Sequence, residues 1–163
     1  SMYYAGKTMG LSAYGMPGEY NHLKLFSFQD NKIISHLGQD EHDDNWGSNV
    51  RNFFMKNGID IGLPAEPKKL GKRERNLAKY VQSEIEEIVL KKLNYLIEIS
   101  GIHNVCFGGG VALNVLLNSA ILERTKTENL FVHPNCDDQG QGIGNCLYIY
   151  HNYLNKGRKQ HYS

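Results

Sequence analysis

From Lys72 onward the sequence alternates helix, strand, helix, strand, helix, and that order limits the fold more than any other feature. Apolar residues at Leu77, Val81, Ile85, Ile88, Val89, Leu93, Leu96 and Ile97 recur at the helical period and predict one long helix over 72–99. Gly101 stands just past it, where a C-capping glycine belongs. Asn104-Val105-Cys106-Phe107 is a short apolar run ending at Gly108-Gly109-Gly110, and it predicts a buried strand. A helix is expected next, with Val111, Ala112, Val115, Leu116, Ser119 and Leu122 turned inward. Residues 129–133 predict a second buried strand, halted by Pro134. A last helix is expected from about Gln139, carrying Ile143, Leu147, Tyr150 and Leu154. Strands separated by helices pair in parallel, with the helices on the sheet faces, so the fold class is α/β.

The front half reads differently. Residues 3–20 hold Gly6, Gly10, Gly15, Pro17 and Gly18 and are expected to form an entry loop. Residues 23–28 and 32–36 flank Asp30-Asn31, a turn dipeptide, and predict a β-hairpin that adds antiparallel character to make a mixed sheet. The acidic stretch 38–48 is expected to be an exposed loop. A short helix over 47–57 with Val50, Phe53 and Phe54 on one side is stopped by Gly58. Residues 58–71, with three glycines and two prolines, read as a loop, and the basic tail after Gly157 as frayed.

Composition excludes several function classes. The chain is 40% apolar and 21% charged, ordinary for a globular domain with a real core, and its net charge is +1. That balance gives no footprint for nucleic acid. No apolar run approaches the roughly 18 residues of a membrane span, and no signal-peptide layout opens the chain. Cys106, Cys136 and Cys146 form no C-x-x-C pair and no zinc spacing, so a reduced, cytoplasmic setting is expected.

Two segments carry chemistry. Gly108-Gly109-Gly110 joins a strand to a helix start, where glycine lets a backbone approach a ligand and helix N–H groups attract phosphate. Asn114, one turn on, has an amide that can bond a ribose or base, whereas Asn118 reads as a helix-surface residue. The competing reading of the glycines is close helix–strand packing. The second segment, 134–144, runs Pro-Asn-Cys-Asp-Asp-Gln-Gly-Gln-Gly-Ile-Gly after the second strand. Its acids suit a metal or magnesium phosphate, or Asp137 or Asp138 serves as a helix cap. Both segments fall at the carboxyl ends of neighbouring strands, where open α/β sheets bind ligands. Lys7, among glycines, has the reach for a phosphate, although Gly6-Lys7-Thr8 lacks the upstream spacing of a P-loop. His36, His42, Asp43 and Asp44 have no metal-ligand spacing, and no Ser/His/Asp or Cys/His arrangement assembles.

Four ordered segments together resemble one family, the O-carbamoyltransferases of the nodulation protein U and cephamycin carbamoyltransferase type. G-K-T-M-G-L-S-A-Y-G at 6–15 is similar to that family's G-K-x-M-G-L-A-x-Y-G, and N-L-A-K-Y-V-Q at 76–82 to its A-A-x-x-Q helix. G-G-V-A-L-N at 109–114 is the most specific run, and H-P-N-C-D-D-Q-G-Q-G-I-G at 133–144 resembles P-x-x-x-D-x-G-x-x-x-G. The resemblance implies a ribonuclease-H-like lobe of the actin/hexokinase/heat-shock ATPase fold, a mixed sheet flanked by helices. On it, 1–20 is a linker, 21–157 the second lobe of the N-terminal domain and 158–163 a tail. It implies that Gly109, Gly110 and Asn114 contact the adenosine of a carbamoyl-adenylate made from carbamoyl phosphate and ATP, with Gly108 and Lys7 also among the nucleotide-binding residues. Lys7 falls in a linker-side loop. Asp138 matches a ligand of a divalent metal, iron or another, completed by histidines from outside this chain.

The implied reaction moves the carbamoyl group to a hydroxyl of a sugar or natural product. The departures are the absence of any His-x-x-x-His pair, and Asp137, Gln139 and Gln141 where the family has glycine or small residues. Implied partners are the first lobe, expected upstream of residue 3, a C-terminal adenylate-forming domain and a small-molecule acceptor, with no nucleic acid and no membrane. Ser1-Met2 reads as a remnant of recombinant expression, the fragment alone is expected to be inactive, and homo-oligomers are expected from an isolated lobe. The alternatives are a threonylcarbamoyl transferase of tRNA or a sugar kinase on the same fold, and a non-catalytic nucleotide-binding lobe.

Overall fold

The structure is a computed structural model that describes residues 5–38, 46–61 and 70–157. The element order is α1 (Ala5–Ser12), β1 (Phe26–Gln29), β2 (Lys32–Ser35), α2 (Trp46–Lys56), α3 (Lys72–Ser100), β3 (Asn104–Phe107), α4 (Val115–Arg124), β4 (Asn129–Val132) and α5 (Gly140–Tyr148). A 3-10 turn, Gly110–Leu113, precedes α4, and a π-helical turn, Ile149–Tyr153, continues α5. His42, Asp43, Asp44 and residues 62–69 and 158–163 lie outside the described residues. No helix among the described residues is long and apolar enough to cross a membrane.

The organising element is α3, whose predicted span holds. At its start the Glu74 carboxylate accepts the Gly71 N–H at 2.8 Å. Its own backbone N–H and that of Gly71 hold this carboxyl below the usual range. At its end Gly101 takes φ +66 and donates to the Ile97 carbonyl at 2.8 Å. The buried set is wider than one stripe. It comprises Asn76, Ala78, Tyr80, Gln82, Ile88, Leu90 and Ile97, while Leu96 is exposed. The helix is covered from several sides, by α1, the hairpin and α4.

Two cores lie along it. Tyr80 joins Tyr20, Leu23, Leu25, Phe54 and Ile59 in one, so Leu23 and Leu25, expected in a strand, are core residues just before β1. Burial and the nearby Glu84 charge push the Tyr80 phenol well above its ordinary pKa. Leu90 joins Leu117, Ala120 and Ile121 in the other.

The hairpin forms as predicted, with Gln29 opposite Lys32 and both turn residues left-handed, Asp30 at φ +49 and Asn31 at φ +63. It does not join a mixed sheet. The described residues form two separate pairs, antiparallel β1–β2 and parallel β3–β4. The reason is that the hairpin is fastened to α3. Leu25 N donates to Glu84 Oε2 at 2.7 Å, and Lys92 Nζ to the Asn31 carbonyl at 2.8 Å.

Three further expectations are corrected. Residues 5–12 are helical, because α1 packs along α3 and tertiary contact offsets the weak helix propensity of its glycines. Strands β3 and β4 are not buried on both faces: Val105, Phe107, Leu130 and Val132 turn inward, while Cys106 and Phe131 are exposed. In α4 the buried face is Leu117, Ala120 and Ile121, and Val111, Val115, Leu116 and Leu122 are exposed. The shift follows from Asn114, whose extended backbone (φ −79, ψ 93) interrupts the helix and resets its phase.

Candidate functional site

Parallel pairing runs Asn104 opposite Asn129 through Phe107 opposite Val132, so both carboxyl ends emerge on one edge. The loops that follow meet there. Gly109 N donates to the Cys136 carbonyl at 2.7 Å, and Cys136 is buried beneath the contact. The two segments singled out in the sequence therefore form one surface.

The glycine turn is open. A Cβ at Gly108, Gly109 or Gly110 would meet no heavy atom within 4 Å, and all three residues are exposed. Close helix–strand packing is therefore not why glycine stands at 108–110. Gly109 needs its φ of +88. Nothing in the described residues requires glycine at 108 or 110. The helix-dipole argument also changes, because a four-residue 3-10 turn follows Gly109 and α4 begins only at Val115. The turn offers bare peptide backbone, not the end of a long helix.

Asn114 is the N-cap of α4, its Oδ1 accepting the Leu117 N–H at 3.1 Å. The same amide pairs reciprocally with Gln82 of α3: Gln82 Nε2 donates to Asn114 Oδ1 at 3.1 Å and Asn114 Nδ2 to Gln82 Oε1 at 2.9 Å. Asn118 is half-buried and donates to the Ala112 carbonyl at 2.8 Å, so it holds the 3-10 turn and is not a plain surface residue. Gln82 was not legible as a site residue. Its signals were its place as the glutamine that ends the 76–82 run similar to the family's A-A-x-x-Q helix, and a polar side chain four residues after Ala78 on a buried face.

In the second loop Asp137 Oδ1 accepts the Gln139 N–H at 3.1 Å, so Asp137 shapes the turn before α5. Asp138 is exposed beside it. Gly140 packs so closely on Asn135 that a Cβ would overlap its carbonyl, whereas Gly142 and Gly144 face open space. Among the described residues no group of three or more His, Cys, Asp or Glu could hold a metal ion. This donor set does not make a metal site by itself. Lys7 sits exposed on α1, whose packing partner is α3, on a separate element from the two loops.

Helix α5 and its π-helical extension bury no residue. Ile143, Leu147, Tyr148, Ile149, Tyr153 and Leu154 are exposed, from 39% for Ile143 to 80% for Tyr153. A helix apolar on this scale is normally covered.

The chain is 32% identical over 154 residues to protein sll1178 of Synechocystis sp., covering 93% of this chain and 25% of that protein. It is 35% identical over 141 residues to protein MJ1058 of Methanocaldococcus jannaschii, covering 85% of this chain and 21% of that protein. It is 29% identical over 144 residues to nodulation protein NolO of Bradyrhizobium diazoefficiens, covering 88% and 24%. The chain thus spans about a quarter of the length of these relatives. The family profile described as carbamoyltransferase N-terminus matches residues 3–147. With both the glycine turn and the aspartate loop inside that match, the chain belongs to the carbamoyltransferase N-terminus family.

Proposed function

We propose that this chain supplies the nucleotide-holding lobe of a carbamoyltransferase that carries a carbamoyl group to a hydroxyl acceptor. The observation that carries this reading is the junction of the two loops. An exposed triple-glycine turn is hydrogen-bonded through Gly109 to the carbonyl of Cys136, two residues before Asp138. Among the described residues nothing gives Gly108 and Gly110 a packing reason to be glycine, and close approach of an adenylate supplies one. Asn114 and the backbone of the turn are the groups offered to the nucleotide.

In the reaction the acceptor hydroxyl oxygen bonds to the carbamoyl carbon, the bond from that carbon to the adenylate phosphate breaks, AMP leaves, and the hydroxyl proton is lost. The residues present here bind and orient, holding the adenylate while fixed backbone donors face the charge that develops. A divalent metal held by Asp138 would need further ligands, because among the described residues no group of three or more His, Cys, Asp or Glu could hold one. The bare face of α5 and the exposed side of β3–β4 fit a lobe covered by further polypeptide, the expected first lobe and adenylate-forming domain.

The test is product formation by the full-length protein from carbamoyl phosphate, ATP and a panel of hydroxyl acceptors. A carbamoylated product is expected, and Asp138→Ala should lower its rate at least about tenfold, the loss seen even for groups one shell removed from a metal. A phosphorylated acceptor, or turnover unaltered by Asp138→Ala, would sink the proposal.

A further inference from the structure

We infer that Gln82 is a positioning residue, which from α3 sets the direction in which the Gly108–Gly110 turn presents its backbone to a nucleotide. The inference rests on the nucleotide-holding reading of that turn. The turn has little apolar anchorage: Ala112 is buried, but Val111 and Leu113 on either side are 53% and 52% exposed. What fixes it is polar. Upstream, Gly109 N is tied to the Cys136 carbonyl at 2.7 Å. Downstream, Asn114 is gripped by Gln82 in two hydrogen bonds of 3.1 and 2.9 Å. Asn118 closes the same stretch through the Ala112 carbonyl.

Gln82 is itself held. It is 4% exposed, and its Nε2 also donates to Glu86 Oε1 at 2.8 Å. Glu86 Oε2 meets Arg124 at 3.4 Å, and Arg124 also pairs with Glu87. Gln82 and Glu86, one turn apart on α3, thus fasten the N-cap and the last residue of α4. A buried primary amide costs desolvation that an apolar side chain of equal length avoids. What the amide adds is direction, because hydrogen bonds weaken steeply off axis and packing does not. A merely structural residue at 82 is replaceable by an apolar isostere; a positioning residue is not.

The experiment measures the ATP dissociation constant and the Tm of the full-length protein and its variants. Gln82→Met and Gln82→Leu fill the space without the amide. They are expected to stay folded while ATP binds about tenfold more weakly, a difference of about 1.4 kcal/mol. Gln82→Glu keeps the shape and loses both donated hydrogen bonds when ionised. It should therefore bind ATP more weakly than wild type near pH ~8, where the carboxyl is ionised. Wild-type ATP affinity in a folded Gln82→Met or Gln82→Leu protein overturns the inference alone, as does wild-type affinity in a folded Gln82→Glu protein. A wild-type protein that binds no ATP overturns both this inference and the reading beneath it.

Discussion

The glycines at 108–110 separate two reasons for one residue type. Gly109 takes a left-handed φ that a side chain strains, so Gly109→Ala should cost about 1 kcal/mol or more. Gly108 and Gly110 have ordinary φ and open surroundings. Gly108→Ala and Gly110→Ala should leave the Tm within the small range of surface substitutions, about 0.5 kcal/mol. Nucleotide affinity should nevertheless fall, because the added methyl occupies the space of the approaching ligand. Differential scanning fluorimetry with and without ATP reads both effects. A large Tm loss in the absence of ATP would return these glycines to a packing role. The sequence showed that backbone matters here, but three identical letters could not say which φ each adopts.

Among the elements, α1 shows how a tertiary contact overrides a local rule. A run with glycines at 6 and 10 has weak helix propensity, yet it is helical where it lies along α3. The approach is closest just after it. A Cβ on Gly15 would overlap the Arg75 carbonyl and the Lys79 side chain, while Met16 N donates to Asn76 Oδ1 at 2.8 Å. Gly15→Ala should therefore push the α1 segment off α3 and cost about 1–3 kcal/mol, measured by urea unfolding. An unchanged unfolding midpoint would show that the contact is looser than the structure has it. The hairpin is the opposite case. Asp30-Asn31 can enter the left-handed region and nothing else competes for the turn, so local chemistry sufficed.

At the scale of the whole molecule the uneven burial is the finding. Around α3 the chain builds two cores, but β3–β4 keeps one face open and α5 buries nothing. Parallel pairs are normally covered on both faces. These 163 residues expressed alone should self-associate through this surface, with an apparent mass above 18.5 kDa by light scattering. Charged substitutions at Leu147 and Tyr148 should restore the monomer. A monomer at all concentrations would mean that α5 folds back on its own chain.

By itself the sequence determined the long helix, its Gly101 stop, the hairpin turn and the order of the strands that bring the two loops to one edge. Those depend on near-neighbour chemistry: helical periodicity, left-handed tolerance at Asp, Asn and Gly, and the rule that strands joined through a helix run parallel. Only the tertiary structure decided that the hairpin stays off the second sheet and that α4 turns on Asn114 to bury Leu117 and Ile121. It alone showed that the glycine turn is held from behind by Gln82. Each of those is settled by contacts between residues 30 to 60 positions apart, whose geometry no local pattern encodes.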